Sequence, residues 1–329
     1  MPTKLFLLLI FLSHVASSLS KGCHPQDKKA LLQIKQELNN PTLLSSWQPH
    51  TDCCYSNWYG VNCLPSNRVY FLIIEIDNDL SSSFPPSIGN LPYLESLLIY
   101  QLPNLTGSIP ESITKLTKLR SLTISGTGIS GPVPNFISKL KSLTYLDLSE
   151  NRLSGTLPHN LYQLPNLEAI ILQNNRLTGS IPSSYGYIKN LSSLFLSHNR
   201  LSGKLPMSLA RLNSMALVVD LSHNKFEGNA SMFFGFAKHT ETIDLSWNML
   251  SFEMENVELP KTLKLLDVSH NRVYGKLPEG VKNLQWLNVS YNRLCGEIPK
   301  GENMQNLGAN SFSHNKCLCG SPLPSCKRI

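Results

Sequence analysis

The sequence predicts an α/β repeat solenoid, and three observations support this prediction. The 329 residues repeat at a period of about 24, and clean copies start at Leu119, Leu143, Leu167 and Leu191. Apolar residues alternate over a short stretch of each copy, as in a strand that is buried on one face. The cysteines form one group near the start of the chain and another near its end. Because repeat proteins grow as one stack, this length does not require several globular domains.

Each copy follows the pattern Leu-x-x-Leu-x-Leu-x-x-Asn-x-Leu-x-Gly-x-Ile-Pro, and about ten copies lie between Val69 and Pro299. The alternating leucines form a short strand, and stacked copies place these strands in a parallel concave sheet. The asparagine turns inward, where its amide satisfies backbone groups of the bend; Thr127 replaces it once. Gly-x-Ile-Pro begins a short helical return on the convex face, except in the degenerate copies through Ala216 and Thr240. The pattern is that of a leucine-rich repeat, which predicts a right-handed superhelix.

The chain is predicted to have four segments, which are a signal peptide at 1–20, an N-terminal cysteine cap at 21–68, the repeats at 69–299 and a C-terminal cysteine cap at 300–329. Lys4 supplies the charge of the signal peptide, Leu5 to Leu12 its apolar core and Ala16-Ser17-Ser18 the small residues before cleavage. This apolar run is too short to span a bilayer, and no later stretch approaches a span. We therefore expect a secreted protein without a membrane anchor.

The N-terminal cap contains an amphipathic stretch that predicts a capping helix. Leu31, Ile34 and Leu38 share one face of a helix that begins near Asp27. The cysteines of the two caps agree with an oxidising compartment and can close the ends of the stack. They are Cys23, Cys53, Cys54 and Cys63 at the start, and Cys295, Cys317, Cys319 and Cys326 at the end. No histidine completes a zinc-like spacing with them, so we expect disulfides and no metal; the pairing within each group remains open.

Several function classes are excluded by composition and motifs. The formal net charge of +7 is weak and no block of Lys and Arg occurs, which argues against nucleic-acid binding. The stretch from Gly126 to Gly131 matches a dinucleotide fingerprint, but Pro132-Val133-Pro134 follows where a helix should begin. No nucleophile elbow or metal-binding His-Glu-x-x-His appears. We therefore expect a binding protein that is not an enzyme and has no cofactor.

Four further motifs resemble the polygalacturonase-inhibiting proteins of plants, and the likeness covers the whole mature chain. They are Ala30-Leu31-Leu32-Gln33-Ile34-Lys35, Ser45-Ser46-Trp47, Cys53-Cys54…Trp58…Gly60-Val61-Asn62-Cys63, and Cys317-Leu318-Cys319-Gly320-Ser321-Pro322-Leu323-Pro324. The resemblance implies the disulfides Cys23–Cys53, Cys54–Cys63, Cys295–Cys317 and Cys319–Cys326. It also implies that acidic residues of the concave face dock against the basic cleft rim of the enzyme. Proteins with the same caps include an antifreeze protein of carrot and floral regulatory proteins.

One outward position of each strand forms a ladder down the predicted concave face. It consists of Ile73, Leu98, Thr123, Asp147, Ile171, Phe195, Asp220, Asp244, Asp267 and Asn288. Neighbouring strands hold the last three aspartates about 5 Å apart, so their repulsion favours a cationic partner; the alternative is that they are merely solvated. Asp147 and Asp220 match acidic positions of the resembled family, and Gln173 lies where some members carry aspartate. Exposed aromatic and apolar residues that could anchor a partner are Tyr145, Ile171, Phe195, Trp247, Trp286 and Tyr291.

A second ladder is basic, because the residue after the repeat asparagine is a cation in six copies. These residues are Arg152, Arg176, Arg200, Lys225, Arg272 and Arg293. A line of cations about 5 Å apart suits an extended polyanion, which in a plant wall is pectin. The alternative is a soluble rim without specificity. Sequons for N-glycosylation occur at Asn104, Asn190, Asn229 and Asn288, the last within a repeat strand.

These observations together predict a secreted, monomeric protein of the plant cell wall and apoplast. It is expected to inhibit a microbial or insect polygalacturonase in plant defence, by docking through its concave face. The alternative is a secreted recognition protein for a plant peptide or receptor ectodomain. A third possibility is ice binding, which requires a flat array of one short polar residue and is disfavoured by the mixture of aspartate, Phe195 and Ile171 in the ladder.

Overall fold

The computed structural model describes residues 22–212 and 217–326, so the predicted signal peptide and Ala216 lie outside the described residues. The strands are, in chain order, β1 (Val61–Cys63), β2 (Val69–Glu75), β3 (Ser82–Ser83), β4 (Ser96–Leu102), β5 (Leu105–Thr106), β6 (Ser121–Thr127), β7 (Ser130–Pro132), β8 (Tyr145–Asp147), β9 (Arg152–Thr156), β10 (Ala169–Ile171), β11 (Arg176–Gly179), β12 (Ser193–Phe195), β13 (Arg200–Lys204), β14 (Leu217–Asp220), β15 (Lys225–Gly228), β16 (Thr240–Asp244), β17 (Met249–Leu250), β18 (Leu265–Asp267), β19 (Tyr274–Gly275), β20 (Trp286–Asn288), β21 (Arg293–Glu297) and β22 (Cys317–Cys319).

The helices are short apart from the first. They are α1 (Pro25–Glu37) and α2 (Glu302–Asn306), together with 3-10 helices at Thr42–Leu44, Pro86–Asn90, Glu111–Lys115, Asn135–Lys139, His159–Gln163, Ser183–Tyr187, Met207–Arg211, Ser231–Phe233, Glu279–Asn283 and Ala309–Ser311. Most repeat 3-10 helices begin directly after a proline, whose fixed φ suits the first helical turn. The degenerate copy shortens its helix to Ser231–Phe233, because Gly228-Asn229-Ala230 replaces Gly-x-Ile-Pro there. Across the described residues, neither α-helix has the length and apolarity to cross a bilayer.

The main sheet has eleven strands in the order β1-β2-β4-β6-β8-β10-β12-β14-β16-β18-β20. The ten strands from β2 to β20 pair in parallel, and β1 of the cap pairs antiparallel with β2. One strand comes from each copy, which confirms the predicted solenoid of about ten repeats with a parallel sheet. We call the outward side of this sheet the concave face, and the side that carries the 3-10 helices the convex side.

A second parallel sheet follows the bend of each repeat, and its register is staggered. Its six strands run in the order β17-β15-β13-β11-β9-β7. Arg176 pairs with Ser154, whereas the equivalent residue of the neighbouring repeat is Arg152, so successive strands are offset by two residues. The same offset sets Arg152 opposite Ser130. Equivalent side chains of this sheet are therefore displaced along the strand as well as across it.

The repeat asparagines form a hydrogen-bonded ladder between the two sheets, as predicted. Asn175 donates from Nδ2 to the carbonyls of Leu148, Leu172 and Gln173 at 2.9, 3.2 and 3.2 Å. Its Oδ1 accepts from the N–H of Leu153, in the preceding repeat, at 3.0 Å. Asparagines of five later repeats and Asn315 of the C-terminal cap make equivalent bonds. Each asparagine thus satisfies backbone groups of two repeats at once and joins them.

The caps close the two ends of the leucine core. The disulfides are Cys23–Cys53, Cys54–Cys63, Cys295–Cys317 and Cys319–Cys326, which confirms the pairing that the resemblance implies. Helix α1 buries Leu31 and Ile34, and Leu38 at its end is also buried, as the amphipathic pattern predicts. Its fully buried Asp27 accepts from Arg68 at 2.7 and 2.9 Å and from the N–H of Val69 at 2.9 Å, and so ties the helix to the first repeat strand.

Candidate functional site

The predicted ladder of outward residues is one continuous row on the concave face. Asp147 pairs with Ile171, and Ile171 with Phe195. The row continues through Asp220, Asp244, Asp267 and Asn288. It therefore presents one carboxylate, an interval of two half-buried apolar side chains, and then three carboxylates on successive strands.

Most of the aspartates in this row are oriented by a serine two residues later. Oδ1 of Asp147 accepts from the backbone N–H of Ser149 at 2.9 Å and from its hydroxyl at 2.7 Å. Asp220 makes the same pair of bonds to Ser222, at 3.0 and 2.7 Å. These contacts use one carboxylate oxygen and fix the rotamer. Oδ2 of Asp147 and of Asp220 makes no hydrogen bond within the described residues, which leaves it available to a donor on a partner.

Asp267 was predicted to face a partner in the same way as its neighbours, but it is buried. It is only 8% exposed, and its carboxylate accepts from the N–H of Ser269 at 2.8 Å and from the Asn288 side chain at 3.3 Å. Burial raises the pKa of Asp267 above its ordinary value. Burial, with the negative charges of Asp267 and Asp220, raises the pKa of Asp244 to about 6. The repulsion predicted between the aspartates is thus partly relieved by protonation of Asp244 in mildly acidic solution.

Exposed aromatic residues occupy the other outward position on two strands of the concave face, one beside the apolar interval and one near the C-terminal end of the row. Tyr145 begins β8 and Trp286 begins β20, and these side chains are 36% and 39% exposed. Burial raises the pKa of Tyr145, and the charge of Asp147 raises it further, so its phenol remains a neutral hydrogen-bond donor. Such amphipathic rings beside carboxylates are typical of protein-binding surfaces.

Gln173 occupies a position that is serine in the neighbouring repeats. Ser149 and Ser197 hold this position on either side, and both are buried. The Gln173 side chain is half-buried, and its Oε1 has no hydrogen-bond partner within the described residues. This unpaired acceptor lies one position beyond Leu172 and is itself buried. A partner's donor therefore reaches it only if the side chain changes its rotamer.

Trp247 and Tyr291 do not lie on the concave strands, contrary to the prediction. Each occupies the turn after its strand, with a positive φ of 53° and 54°. There they belong to a stack of six rings, which we call the ring column, running His198, His223, Trp247, His270, Tyr291 and His314. The centroid separations between successive rings are 4.1, 5.3, 3.7, 4.1 and 4.1 Å, and every pair is nearly parallel.

Sequence reasoning missed the ring column, although a signal for it was present. The residue just before the repeat asparagine is aromatic or histidine in six consecutive copies, from His198 to His314. A period of one repeat places these residues beside each other on neighbouring turns. Burial lowers the pKa of His223 and of His270, and nearby aspartates oppose this shift. Acidic and imidazole groups therefore meet along one edge of the concave face.

The basic ladder is exposed, but its spacing differs from the prediction. Because the second sheet is staggered by two residues, Arg176 lies opposite Ser154, and Arg200 opposite Thr178. Two residues along a strand and one step across it separate equivalent Cα atoms by about 8 Å, not 5 Å. Arg272 lies outside the described strands, and Arg293 belongs to the separate sheet of β19, β21 and β22. The cations therefore form a broken oblique line that alternates with hydroxyl groups.

The four sequons lie in different surroundings. Asn104, Asn190 and Asn229 have exposed side chains. Asn288 lies in the concave row, where its side chain bonds Asp267 and accepts from Ser290 at 3.2 and 2.8 Å. Within the described residues, the one group with metal-ligand proximity is Cys23, Cys53 and Cys54, whose sulfurs all belong to disulfides.

Comparison with known proteins identifies the repeats and the cap. A family described as "Leucine rich repeat N-terminal domain" matches residues 24–64, and leucine-rich-repeat families match 117–177, 190–212, 262–284 and 283–301. The polygalacturonase inhibitor of Vitis vinifera is 55% identical over 324 residues, 98% of this chain and 96% of that protein. That of Pyrus communis is 55% identical over 328 residues, 99% and 98% of the two chains. A crystal structure of a plant ice-binding protein matches with a TM-score of 0.90 at 45% identity, covering 93% of this chain and 99% of that one.

These relatives distinguish between the predicted classes of protein. Several curated proteins that match over nearly the whole chain are named as inhibitors, which confirms the prediction of a binding scaffold that is not an enzyme. The likeness includes both disulfide caps as well as the repeats, since it extends over almost the full length. The chain therefore belongs to the polygalacturonase inhibitors of plants, a family of leucine-rich-repeat proteins.

Proposed function

We propose that this protein inhibits a microbial or insect polygalacturonase at the plant cell wall by docking its concave face on the enzyme. One observation supports the location most directly. The row from Asp147 through Ile171 and Phe195 to Asp220 and Asp244 alternates carboxylate with apolar surface on rigid, hydrogen-bonded strands. An apolar centre flanked by charge is the arrangement of many protein-binding sites.

The electrostatics of this row suit a basic partner surface. Each free Oδ2 can accept from Lys or Arg, and charge-assisted hydrogen bonds are about twice as strong as neutral ones. The serine contacts of Asp147 and Asp220 fix these side chains before binding, so less side-chain entropy is lost on docking. Tyr145 and Trp286 add large, exposed, rigid contact areas toward the two ends of the row. We assign contact roles to Gln173 and Trp247 from their positions beside the same face.

Secretion and a pectin contact complete the proposal. A signal peptide at residues 1–20 would export the chain, and the relatives are inhibitors of an enzyme that degrades the wall. The exposed cations from Arg152 to Lys225 alternate with serine and threonine, so each anionic sugar could meet a cation and a hydroxyl group. We propose that this surface retains a monomeric protein on de-esterified pectin, with weak contacts that add along the chain.

The test of the main proposal is an inhibition assay with the purified mature protein. A panel of fungal and insect polygalacturonases is supplied with soluble polygalacturonate, and the release of reducing ends is measured at increasing inhibitor concentration. We expect saturable inhibition of at least one enzyme. If the folded protein inhibits no member of the panel but binds a receptor ectodomain or a plant peptide, the alternative of a recognition protein replaces inhibition.

A further inference from the structure

The ring column and the three C-terminal aspartates of the concave row form one ionisable cluster. Asp220, Asp244 and Asp267 occupy the same row on adjacent strands. The turns that follow these strands carry His223, Trp247 and His270, each three residues after its aspartate. Anionic and imidazole side chains therefore run side by side along the edge of the face.

The order of the rings determines which histidines can carry charge together. His198 stacks directly on His223 at 4.1 Å, and its charge lowers the pKa of His223. Trp247 separates His223 from His270, and Tyr291 separates His270 from His314. The protonated imidazole of His270 would lie between two aromatic faces, which attract a cation. The histidines still act on one another across these rings, because His270 lowers the pKa of His223 and His314 lowers that of His270.

The groups that face the cluster come from both sides of the bend. The carboxylates of Asp220 and Asp267 act on His223, and Asp267 and His314 act on His270. On the other side, each ring except Trp247 is followed two residues later by a cation at the start of the next segment. These cations are Arg200, Lys225, Arg272, Arg293 and Lys316. Acidification removes the negative charge of Asp244 and adds positive charge to His223 and His270, so both changes make the edge more positive.

We propose that the ring column, Asp220 and Asp244 form a pH-sensitive docking surface, with Asp267 as a buried charge beside them, which holds the basic surface of a partner in neutral solution and weakens this hold in mildly acidic solution. The inference rests on the proposed function for the identity of the partner. It adds that regulation lies in the C-terminal half of the face. Asp147 has no part in it, because Glu150 occupies the column position of its repeat.

The pKa shifts agree in sign with this proposal. Burial raises the pKa of Asp244 to about 6, so its negative charge is lost as pH falls from 7 to 5. Burial lowers the pKa of His223 and of His270, so these rings are neutral at pH 7 and gain charge only as the pH falls further. Loss of the carboxylate charge and gain of imidazole charge both weaken attraction to a cationic partner.

The test measures dissociation constants at pH 7.5 and 5.0 with two immobilised probes. One is a polygalacturonase that the wild-type protein inhibits, and the other is a hexalysine peptide. For both probes we expect wild-type affinity to fall about 30-fold on acidification, and this ratio to shrink to about threefold in Asp244→Asn and in His223→Gln/His270→Gln. His159→Gln is the matched control, because this exposed histidine lies on the convex 3-10 helix His159–Gln163. Asp147→Asn should lower affinity for the enzyme by a similar factor at both pH values.

The two probes distinguish the failure of this inference from failure of the proposed function. If no polygalacturonase binds, the proposed function fails, and the ratio for hexalysine still tests the docking surface. If wild type and both cluster variants show the same ratio while thermal melting shows that all are folded, the pH-sensitive surface is wrong. If His159→Gln alone changes the ratio, the response belongs to another surface and the inference is equally overturned.

Discussion

The indole of Trp247 stacks on the imidazole of His270 with 3.7 Å between ring centroids and 14° between ring planes. Both residues have positive φ, which non-glycine residues adopt only when the surroundings stabilise it. The bend of the repeat sets this conformation, because Glu150 and Asn174 adopt φ of 54° and 55° at the same position without a stacked ring. The bend thereby holds the six rings in line, so that each packs on the ring of the next repeat.

The stacking can be measured with asparagine, which tolerates the left-handed conformation. We expect Trp247→Asn to lower the free energy of unfolding by about 1–2 kcal/mol through the loss of two ring contacts. A double-mutant cycle with His270→Asn, followed by urea denaturation, should return a coupling energy of about 0.5–1.5 kcal/mol. Additive effects of the two substitutions would show that the rings are neighbours without mutual stabilisation.

The acidic row is expected to be the enzyme-binding surface. Asp220→Lys should weaken inhibition by at least about 1 kcal/mol, because it replaces an attractive charge with a repulsive one while the strand stays intact. Asp147→Lys and Asp244→Lys should act in the same direction. The measurement is the inhibition constant against one polygalacturonase, with Glu279→Lys on the convex side as a control of equal charge change. Unchanged constants in all three variants would move the site elsewhere.

The basic ladder is expected to bind de-esterified pectin through surface charge. Retention on polygalacturonate beads should fall steeply with salt, since the Debye length is only about 10 Å at 0.1 M. The Arg152→Gln/Arg176→Gln/Arg200→Gln variant should elute at lower salt than Lys115→Gln/Lys139→Gln/Lys141→Gln, which removes three exposed charges from the opposite side. Co-elution of the arginine variant with wild type at every salt concentration would make the ladder a solvated rim.

The Asp27–Arg68 ion pair is expected to stabilise the N-terminal cap. Asp27 is fully buried and binds the Arg68 guanidinium through both oxygens, so Asp27→Ala leaves a largely buried cation without its partner. We expect a loss of about 3–5 kcal/mol in urea denaturation of the cap. The exposed pair Lys139–Glu111 provides the comparison, and Lys139→Ala should cost at most about 1 kcal/mol. Equal effects of the two substitutions would contradict this role.

Tyr185 offers a substitution that is expected to be harmless or stabilising. Its ring is fully buried, and its hydroxyl has no hydrogen-bond partner within the described residues. Burial also raises the pKa of this phenol. Tyr185→Phe removes an unsatisfied polar group at nearly constant volume. The free energy of unfolding should therefore stay unchanged or rise by up to about 1 kcal/mol, and the melting temperature should follow it. Tyr187→Phe, an exposed neighbour, should have no effect, and a clear loss of stability in Tyr185→Phe would reveal a partner for the hydroxyl.

The concave row illustrates how much of the site could be predicted. Alternate residues of a strand lie on one face of the sheet, and equivalent residues of successive repeats lie side by side. Counting residues was therefore sufficient to align Asp220 with Asp244. Counting residues did not show which of these carboxylates is free to contact a partner. Asp267 is buried beside Asn288, a contact between side chains 21 residues apart that depends on their rotamers. Counting does not determine rotamers, because neighbouring side chains select them together.

The sequence alone determined the solenoid, the number of repeats, the inward asparagines and the closed caps. Each of these depends on a chemical requirement that recurs at a fixed interval, namely burial of leucine, satisfaction of a bent backbone or closure of an exposed end. Only the tertiary structure decided the two-residue stagger that spreads Arg152 and Arg176, and the separations at which the rings of successive turns stack. Both depend on the displacement of one repeat relative to the next. That displacement results from packing between repeats, so no single copy of the motif contains it.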